Sequence, residues 1–323
     1  MKELIQILGQ LKRLLNSEES FALATVVFVE GSAYRRPGAR MLIDENGNWW
    51  GGISGGCLEG DLLKKAQLAM RQQTIKNITY DTREDDPFQL GVGLGCQGLI
   101  EIIIDPIREH VEQFAEQLTI CIESGEANTL QSIWDGPSFE IKIVSEMVGS
   151  FTQEGDKQVF VEHIPANMRI WIVGNQFDAI SLIQLCQQLA WEIHWVGNKL
   201  KMNPSVRESV QACYDWDDLL PFRSTDCLVL MTHDFDRDVA FLNKYSDLRS
   251  FSYVGILGPT KRLDRILKQI PALQVNLISS PIGLDIGAEG PDEIAVSIVS
   301  EILAVKNGRN GQSLKFRKGS IHS

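Results

Sequence analysis

Residues 168–197 read MRIWIVGNQFDAISLIQLCQQLAWEIHWVG, and this stretch decides the fold of the second half of the chain. An apolar run ends at Gly174, an amphipathic segment follows at 178–190, and a second apolar run ends at Gly197. An apolar run, a glycine turn, an amphipathic helix and another apolar run, in this order, indicate a βαβ unit with parallel strands. The stretch therefore predicts the start of a doubly wound parallel sheet.

The same alternation continues toward the carboxyl end. Further apolar runs lie at 226–233, 252–258 and 274–280, and a long amphipathic helix is predicted at 291–307. Apolar runs that alternate with amphipathic helices are typical of α/β proteins with a parallel sheet. We therefore predict a Rossmann-like domain over residues 166–310, followed by a C-terminal tail at 311–323.

The first half of the chain mixes helical and strand periodicities. An amphipathic helix is predicted at the start, from the spacing of Leu4, Ile7, Leu8, Leu11 and Leu15. Further helices are predicted at 57–73 and 108–125, and strands at 20–32, 39–54 (as a pair), 77–82, 99–106, 128–134, 139–146 and 158–163. This pattern predicts a mixed α/β domain over residues 1–150, with a boundary near the polar stretch TQEGDKQ at 152–158.

Composition and charge narrow the class of protein. The 323 residues carry a net charge of −11, which argues against a general nucleic-acid binder because phosphate neutralisation needs a basic surface. No apolar run approaches the roughly 20 residues that span a bilayer, and the start of the chain does not read as a signal peptide. The six cysteines form no CxxC pair. We therefore expect a cytoplasmic protein with free thiols, not disulfides or a zinc site.

One cysteine lies behind a run of glycines. Cys57 follows Gly55 and Gly56 in the stretch GGISGGCLEGD at 51–61, directly ahead of a predicted helix. Exposed N–H groups at a helix start favour an anion such as a thiolate, and the glycines let a ligand approach the backbone. The acidic side chains of Glu59 and Asp61 oppose a thiolate there. The alternative is a packed cysteine in a tight turn.

A second cysteine has similar surroundings. Cys96 lies beside Gly95 in the stretch GLGCQG at 93–98, just before a predicted strand. Taken alone, it fits a glycine-rich turn with an incidental thiol. Together with Cys57 it suggests a site for a soft metal centre or a transferable sulfur, since thiolates bind both well.

One cluster of basic residues contrasts with the net negative charge of the chain. The stretch YRRPGAR at 34–40 contains Arg35, Arg36 and Arg40. Guanidinium groups suit phosphate or carboxylate, so the cluster predicts a site for one small anion. A solvated surface turn is the alternative.

The glycine turn of the predicted Rossmann-like domain departs from the dinucleotide fingerprint. After Gly174, Gln176 occupies the second glycine position and Ala179 the third, and Asn198 stands where an acidic residue would recognise the ribose. NAD(P) binding is therefore not favoured. His233 ends a predicted strand at the edge where such sheets bind ligands, although a lone histidine there is more often structural.

Several stretches together resemble the xanthine dehydrogenase accessory (XdhC/CoxI) family. The first half contributes TVVFVEGSAYRRPGARMLIDENG (25–47), GGISGGCLEGDLLKKA (51–66) and GLGCQGLIEI (93–102). The second half contributes LVLMTHDFDRD (228–238), YVGILGPTKR (253–262) and PIGLDIGAEGPDEIAVSIVSEILAVKNGR (281–309). The ordered set is more specific than any single glycine motif. The family's usual turn GAGHVA is GNQFDA here, which departs from the pattern.

The resemblance implies a chaperone that binds the molybdenum cofactor, a molybdopterin, and helps its sulfuration. It implies delivery to xanthine dehydrogenase or a related molybdenum hydroxylase, with a cysteine desulfurase as a further partner, and it favours a homodimer. Carried over to this chain, the thiols near the metal or its sulfur are Cys57 and Cys96. The other cofactor-binding residues implied are Arg35, Arg36, Arg40, Gly55, Gly56 and Gly95.

Two other functions remain open from the sequence. One is an NAD(P)-dependent oxidoreductase that uses the Rossmann-like domain. The other is a scaffold that has lost ligand binding and only docks a partner enzyme.

Overall fold

A computed structural model of the chain describes residues 1–31, 33–81, 98–145 and 148–317. The chain divides into two compact units, Met1–Asn167 and Met168–Ser323. Among the helices of the described ranges, none combines the length and the apolar character needed to cross a membrane.

The first unit is built around an antiparallel sheet. Its described helices are α1 (Lys2–Leu15), α2 (Glu59–Gln72) and α3 (Arg108–Ser124). The sheet contains β1 (Phe21–Gly31), β2 (Arg40–Asp44), β3 (Trp49–Gly51), β4 (Lys76–Asp81) and β5 (Gly98–Asp105). The strands lie in the order β3-β2-β1-β5-β4, and every neighbouring pair is antiparallel. Because β1 is the central strand, the turn between β1 and β2 leaves the middle of the sheet.

Alternate residues of β1 enter two different cores, as the two-residue period of a strand requires. Leu23 packs in one core with Leu11 of α1 and Phe114 of α3. Ala24, its neighbour, packs in the other core with Leu62 of α2. Helices therefore cover both faces of the sheet.

A second sheet completes the first unit. It contains β6 (Asn128–Asp135), β7 (Ser138–Val144), β8 (Ser150–Glu154) and β9 (Lys157–Ile164), in the antiparallel order β7-β6-β9-β8. The sequence pattern did not predict β8, whose residues are mostly exposed. The polar stretch at 152–158 is the turn of the β8–β9 hairpin, with Gly155 at φ +60°. The division between the units follows Asn167.

The second unit is a parallel α/β sandwich. Its strands are β10 (Arg169–Val173), β11 (Glu192–Val196), β12 (Ala212–Tyr214), β13 (Cys227–Leu230), β14 (Tyr253–Ile256) and β15 (Ile278–Ser279). Its described helices are α4 (Phe177–Gln188), α5 (Pro204–Arg207), α6 (Phe235–Lys244), α7 (Thr260–Gln269) and α8 (Pro291–Lys306). Short 3-10 helices lie at Lys199–Lys201, Leu248–Ser250, Val275–Leu277 and Leu314–Phe316.

The topology of this sheet confirms the predicted Rossmann-like fold. All neighbouring strands are parallel, in the order β12-β11-β10-β13-β14-β15. Side chains of α4 and α8 pack in one core and those of α6 and α7 in another, so the sheet is doubly wound. The strand order reverses between β10 and β13, which is where such sheets usually bind ligands.

The glycine turn after β10 is needed for packing. Gly174 has φ +128°, and a Cβ atom added to it would lie 2.3 Å from the carbonyl oxygen of Met231. No side chain fits this gap, because real Cβ atoms do not approach backbone that closely. Gly174 therefore lets the turn pass the end of β13.

Replacing Gly174 by alanine should destabilise the second unit. The substitution combines a left-handed backbone with a collision against Met231, and we expect a loss of about 3 kcal/mol in the free energy of unfolding. Gly287→Ala is the control, because Gly287 also has a positive φ but no atom within 4 Å of its added Cβ. Urea unfolding of both variants measures the difference. Equal losses would show that the contact with Met231 costs nothing.

Candidate functional site

The glycine loop that follows β3 carries an exposed thiol. Cys57 lies two residues before the first residue of α2, and it is exposed, as are Gly55 and Gly56. Gly56 adopts φ +107°, with no atom within 4 Å of an added Cβ. The loop is therefore open to solvent around the thiol.

Most backbone N–H groups of this loop are already bonded within it. The N–H groups of Gly56, Cys57 and Leu58 point at Ser54 Oγ, at 3.3, 3.1 and 3.1 Å. The Ser54 hydroxyl in turn donates to Glu59, 2.5 Å away. The sequence suggested open N–H groups next to the thiol, and this expectation is wrong, because Ser54 accepts from them.

Glu59 closes the loop from the first turn of α2. Its Oε1 atom accepts from the N–H groups of Ile53 and Ser54, at 3.2 and 2.8 Å. Its Oε2 atom accepts from Leu58, at 3.2 Å. Burial by itself raises the pKa of Glu59, but the hydrogen bonds from Ser54 and the backbone outweigh it and hold the pKa below its usual value. Glu59 is therefore a charged acceptor that ties the loop together.

The arginine-rich turn lies beside the glycine loop. Tyr34 contacts Gly55, since a Cβ added to Gly55 would be 3.5 Å from the tyrosine ring. Glu3 of α1 joins the two segments: one carboxylate oxygen pairs with Arg35, and the other accepts from the N–H of Gly52 at 3.1 Å. Three segments distant in sequence are thus brought together.

Arg36 is the accessible cation of this turn. Its side chain is exposed, and no ion pair forms between it and any residue of the described ranges. A pocket of about 310 Å³ lies between α1 and the turn, lined in part by Glu3, Tyr34, Arg35 and Arg36. This volume is at the lower end of the range for small-molecule sites.

Arg40 does not join the exposed cations, which corrects the prediction made for it. It begins β2 and is only 2% exposed. Its guanidinium pairs with Glu162 of β9, donates to the carbonyl of Gly38 at 2.8 Å, and lies over the ring of Phe114. Arg40 therefore has a structural role, because it links β2 of the first sheet to β9 of the second.

Cys96 and Gly95 lie outside the described residues. Within the described ranges, no group of three or more histidine, cysteine, aspartate or glutamate side chains is arranged to hold a metal ion. Of the two predicted site thiols, Cys57 is the one that lies within the described residues.

The second unit pairs His233 with a residue that the sequence did not single out. Nε2 of His233 lies 2.6 Å from a carboxylate oxygen of Asp178, which is buried at the start of α4. The histidine is half exposed and has φ +55°. The contact joins the loops after β10 and β13, so His233 has a partner that a local pattern could not reveal.

Sequence reasoning also missed three residues of the first-unit site. Ser54 and Tyr34 stood within the quoted stretches, but only the structure shows their contacts. Glu59 was considered in the sequence only as a charge that opposes a thiolate, not as an acceptor for the N–H groups of the loop. No signal pointed to Glu3, which reaches the loops from a different helix.

The fold and the site together define a class of protein. It has a mixed α/β unit that presents a surface thiol beside an arginine turn, followed by a Rossmann-type unit. Residues 14–81 match the XdhC and CoxI family, and residues 170–302 match the XdhC Rossmann domain. The chain belongs to the XdhC and CoxI family, which confirms the resemblance seen in its motifs.

Two relatives extend over most of the chain. It is 30% identical to a probable xanthine dehydrogenase subunit of Bacillus subtilis (strain 168), over 92% of this chain and 96% of the relative. It is 23% identical to the molybdenum cofactor insertion chaperone PaoD of Escherichia coli (strain K12), over 90% of this chain and 85% of PaoD.

A solved structure has the same architecture. A crystal structure from Bacillus halodurans, described as a xanthine dehydrogenase, matches with a TM-score of 0.78 and 25% sequence identity. The match covers 94% of this chain and 96% of the other. The likeness therefore includes both units.

Proposed function

We propose that this protein is a chaperone for the molybdenum cofactor, which it binds, helps to sulfurate and delivers to xanthine dehydrogenase or a related molybdenum hydroxylase. The names of the two relatives support this function. The structural observation that carries it is the exposed thiol of Cys57 on a loop joined through Glu3 and Tyr34 to the pocket beside Arg36.

The side chains at this site fit the chemistry of a molybdopterin. The cofactor has a phosphate, a pterin, two dithiolene sulfurs and a molybdenum centre. Cys57 offers a soft ligand to the metal or its sulfur, and Arg36 offers a charged donor to the phosphate. Tyr34, with 69% of its surface exposed, offers an aromatic surface for the pterin.

The openness of the site suits a carrier that must release what it binds. When bound, the molybdenum centre would supply the redox chemistry of the partner enzyme. The chain itself holds Cys57 at the surface, with open space beside Gly56, so that a second protein can reach the cargo. A closed cage of protein ligands would oppose transfer.

The function is tested by producing the protein in cells that make the cofactor. We expect the purified protein to contain molybdenum, measured by mass spectrometry, together with the fluorescence of oxidised pterin. PaoD purified in parallel is the positive control. If PaoD is filled and this protein is empty, the chaperone proposal is wrong.

Replacing Arg36 by glutamine should weaken retention of the cofactor roughly tenfold, the effect of losing one charged hydrogen bond. The measurement is molybdenum and pterin content after extended dialysis. Arg71→Gln is the control, because Arg71 is also exposed but lies in the last turn of α2. Equal retention of the cofactor by both variants and the wild type would show that Arg36 does not contribute to the binding site.

The oxidoreductase alternative is not favoured. Gln176, at the second position of the glycine fingerprint, directly precedes α4 and carries a side chain where a pyrophosphate needs bare backbone. Titration with NADH and NADPH, followed by fluorescence, should show no saturable binding.

Finer features of the function rest on the family resemblance. We propose that the protein acts in the cytoplasm as a homodimer, with a cysteine desulfurase as the source of sulfur. Size-exclusion chromatography with light scattering tests the dimer, and co-purification with the desulfurase tests the partner.

A further inference from the structure

We propose that His233 and Asp178 form a second binding site, on the Rossmann-type unit, for an uncharged planar ring that carries N–H groups, such as a pterin or a purine. Both residues belong to the second unit, and the inference does not depend on the thiol of Cys57. It goes beyond the chaperone function, because it gives the Rossmann-type unit a ligand of its own.

The two residues lie at the edge of the sheet where parallel α/β folds bind ligands. His233 lies in the loop after β13, and Asp178 lies in the first turn of α4, which follows β10. The strand order reverses between β10 and β13, and ligands of such sheets bind in the crevice at this reversal. The pair of side chains therefore stands at the position where the fold admits a ligand.

His233 is held from two sides in an uncommon backbone conformation. Its φ is +55°, in the left-handed region that residues other than glycine seldom adopt. On one side, its Nε2 atom lies 2.6 Å from a carboxylate oxygen of the buried Asp178. On the other, the hydroxyl of Thr232 donates to the buried Asp238 at 2.5 Å, and Asp238 pairs with Arg262. Strained residues that their surroundings hold in place in this way cluster at ligand sites.

The contact with Asp178 determines which ring nitrogen accepts a hydrogen bond. An ionised carboxylate only accepts, so Nε2 of His233 carries the hydrogen and donates to Asp178. In the neutral imidazole the other nitrogen, Nδ1, is then an acceptor. Among the described residues none bonds Nδ1, and half of the side chain is exposed. His233 therefore offers an acceptor to a ligand that carries an N–H group.

The neighbouring residues favour a ligand that is uncharged and flat. The carboxylate of Asp178 opposes an anion at the histidine, and Gln176 takes the position at which a phosphate would approach bare backbone. Phe177, directly before Asp178, is 70% exposed, and exposed aromatic rings stack on heterocycles. Pterin and guanine both contain an amino-oxo-pyrimidine ring with N–H donors. This shared ring is the chemistry assigned to the site.

Isothermal titration calorimetry tests the site with hydroxymethylpterin, guanosine and guanosine monophosphate on the whole, cofactor-free chain. We expect saturable binding of at least one of the two uncharged compounds, and weaker binding of the monophosphate. A preference for the pterin would identify the ring of the cargo as the ligand, and a preference for guanosine would identify a free purine. Failure of both to bind, or tighter binding of the monophosphate, would overturn the proposal.

Two variants test the contacting residues. His233→Asn should weaken binding about fivefold, the effect of one neutral hydrogen bond, because asparagine tolerates the left-handed region but has no ring acceptor. Phe177→Ala should weaken binding at least as much through lost stacking, and because Phe177 is exposed this variant decides if His233→Asn fails to fold. His163→Asn is the control, because His163 is exposed and lies in β9 of the first unit. Affinities equal to that of the control would exclude this site.

Asp178 is a positioning residue, and its role has a readout of its own. Its other carboxylate oxygen accepts from the N–H of Ala179 at 3.0 Å. In Asp178→Asn this N–H should hold the amide oxygen, so that the NH₂ group faces Nε2 of His233 and the ring hydrogen moves to Nδ1. NMR of the ring nitrogens should show this change of tautomer, together with a loss of affinity of about fivefold. An unchanged tautomer would mean that Asp178 does not set the acceptor.

These results are independent of the chaperone function, because the binding measurements use cofactor-free protein. A protein that carries molybdenum but binds neither ring would keep the chaperone function and lose the second site. A protein that binds a ring but never carries molybdenum would do the reverse.

Discussion

Replacing Cys57 by serine should lower the molybdenum content of the purified protein about tenfold or more, the order of effect expected when a metal site loses an important group. Serine is nearly the same size as cysteine but is a poor ligand for a soft metal or sulfur at neutral pH. Because Cys57 is exposed and its side chain makes no packing contact in the cores, the fold should not change.

The best control for this variant is Cys213→Ser. Cys213 is partly exposed, lies in β12 of the second unit, and should have no influence on the cofactor. Metal and pterin are measured separately, because pterin retained without molybdenum would mean that Cys57 holds only the metal end. Full retention of both by Cys57→Ser would exclude this thiol as the point of attachment.

Replacing Arg40 by alanine should destabilise the first unit by about 3–5 kcal/mol, because it leaves the buried carboxylate of Glu162 without its partner. The aliphatic stem and guanidinium of Arg40 also lie over Phe114, so packing is lost with the charge. For a unit of this size the loss corresponds to a fall of about 10 °C in the unfolding midpoint.

Differential scanning calorimetry tests this expectation, with the second unit as an internal reference. The double variant Arg40→Met with Glu162→Leu should recover much of the loss, because replacing both partners of a buried pair by apolar side chains is often tolerated. A single variant as stable as the wild type would mean that water reaches Glu162 and that the pair is not a structural link.

The sequence predicted the second unit well, because its architecture is repeated locally. The apolar runs predicted from 168 onward alternate with helices, and Gly174 marks the first turn, whereas the short strand β12 was not predicted and no helix separates it from β13. The strand β8 was missed because its residues are mostly exposed, so no alternating pattern of burial was visible in the sequence. Exposed edge strands depend on pairing with a neighbour, which sequence periodicity does not report.

The candidate site was predicted only in part, because local sequence reveals some of its residues and not others. Cys57 and Arg36 lie in surface segments, where residue type and neighbouring glycines are informative. Arg40 looked similar in sequence, yet its position is set by Glu162, which is 122 residues away. The ion pair with the distant Glu162 determines that Arg40 is buried, and the local sequence around Arg40 does not reveal such a pair.

The contact of Glu3 with both site loops has a practical consequence for protein production. Met1 and Glu3 line the pocket that also contains Arg36. An affinity tag fused before Met1 would begin beside a residue that lines this pocket, where its histidines could compete for metal and its bulk could hinder docking. Purification handles are therefore better placed after the last helix, and any amino-terminal tag is better cleaved before cofactor content is compared.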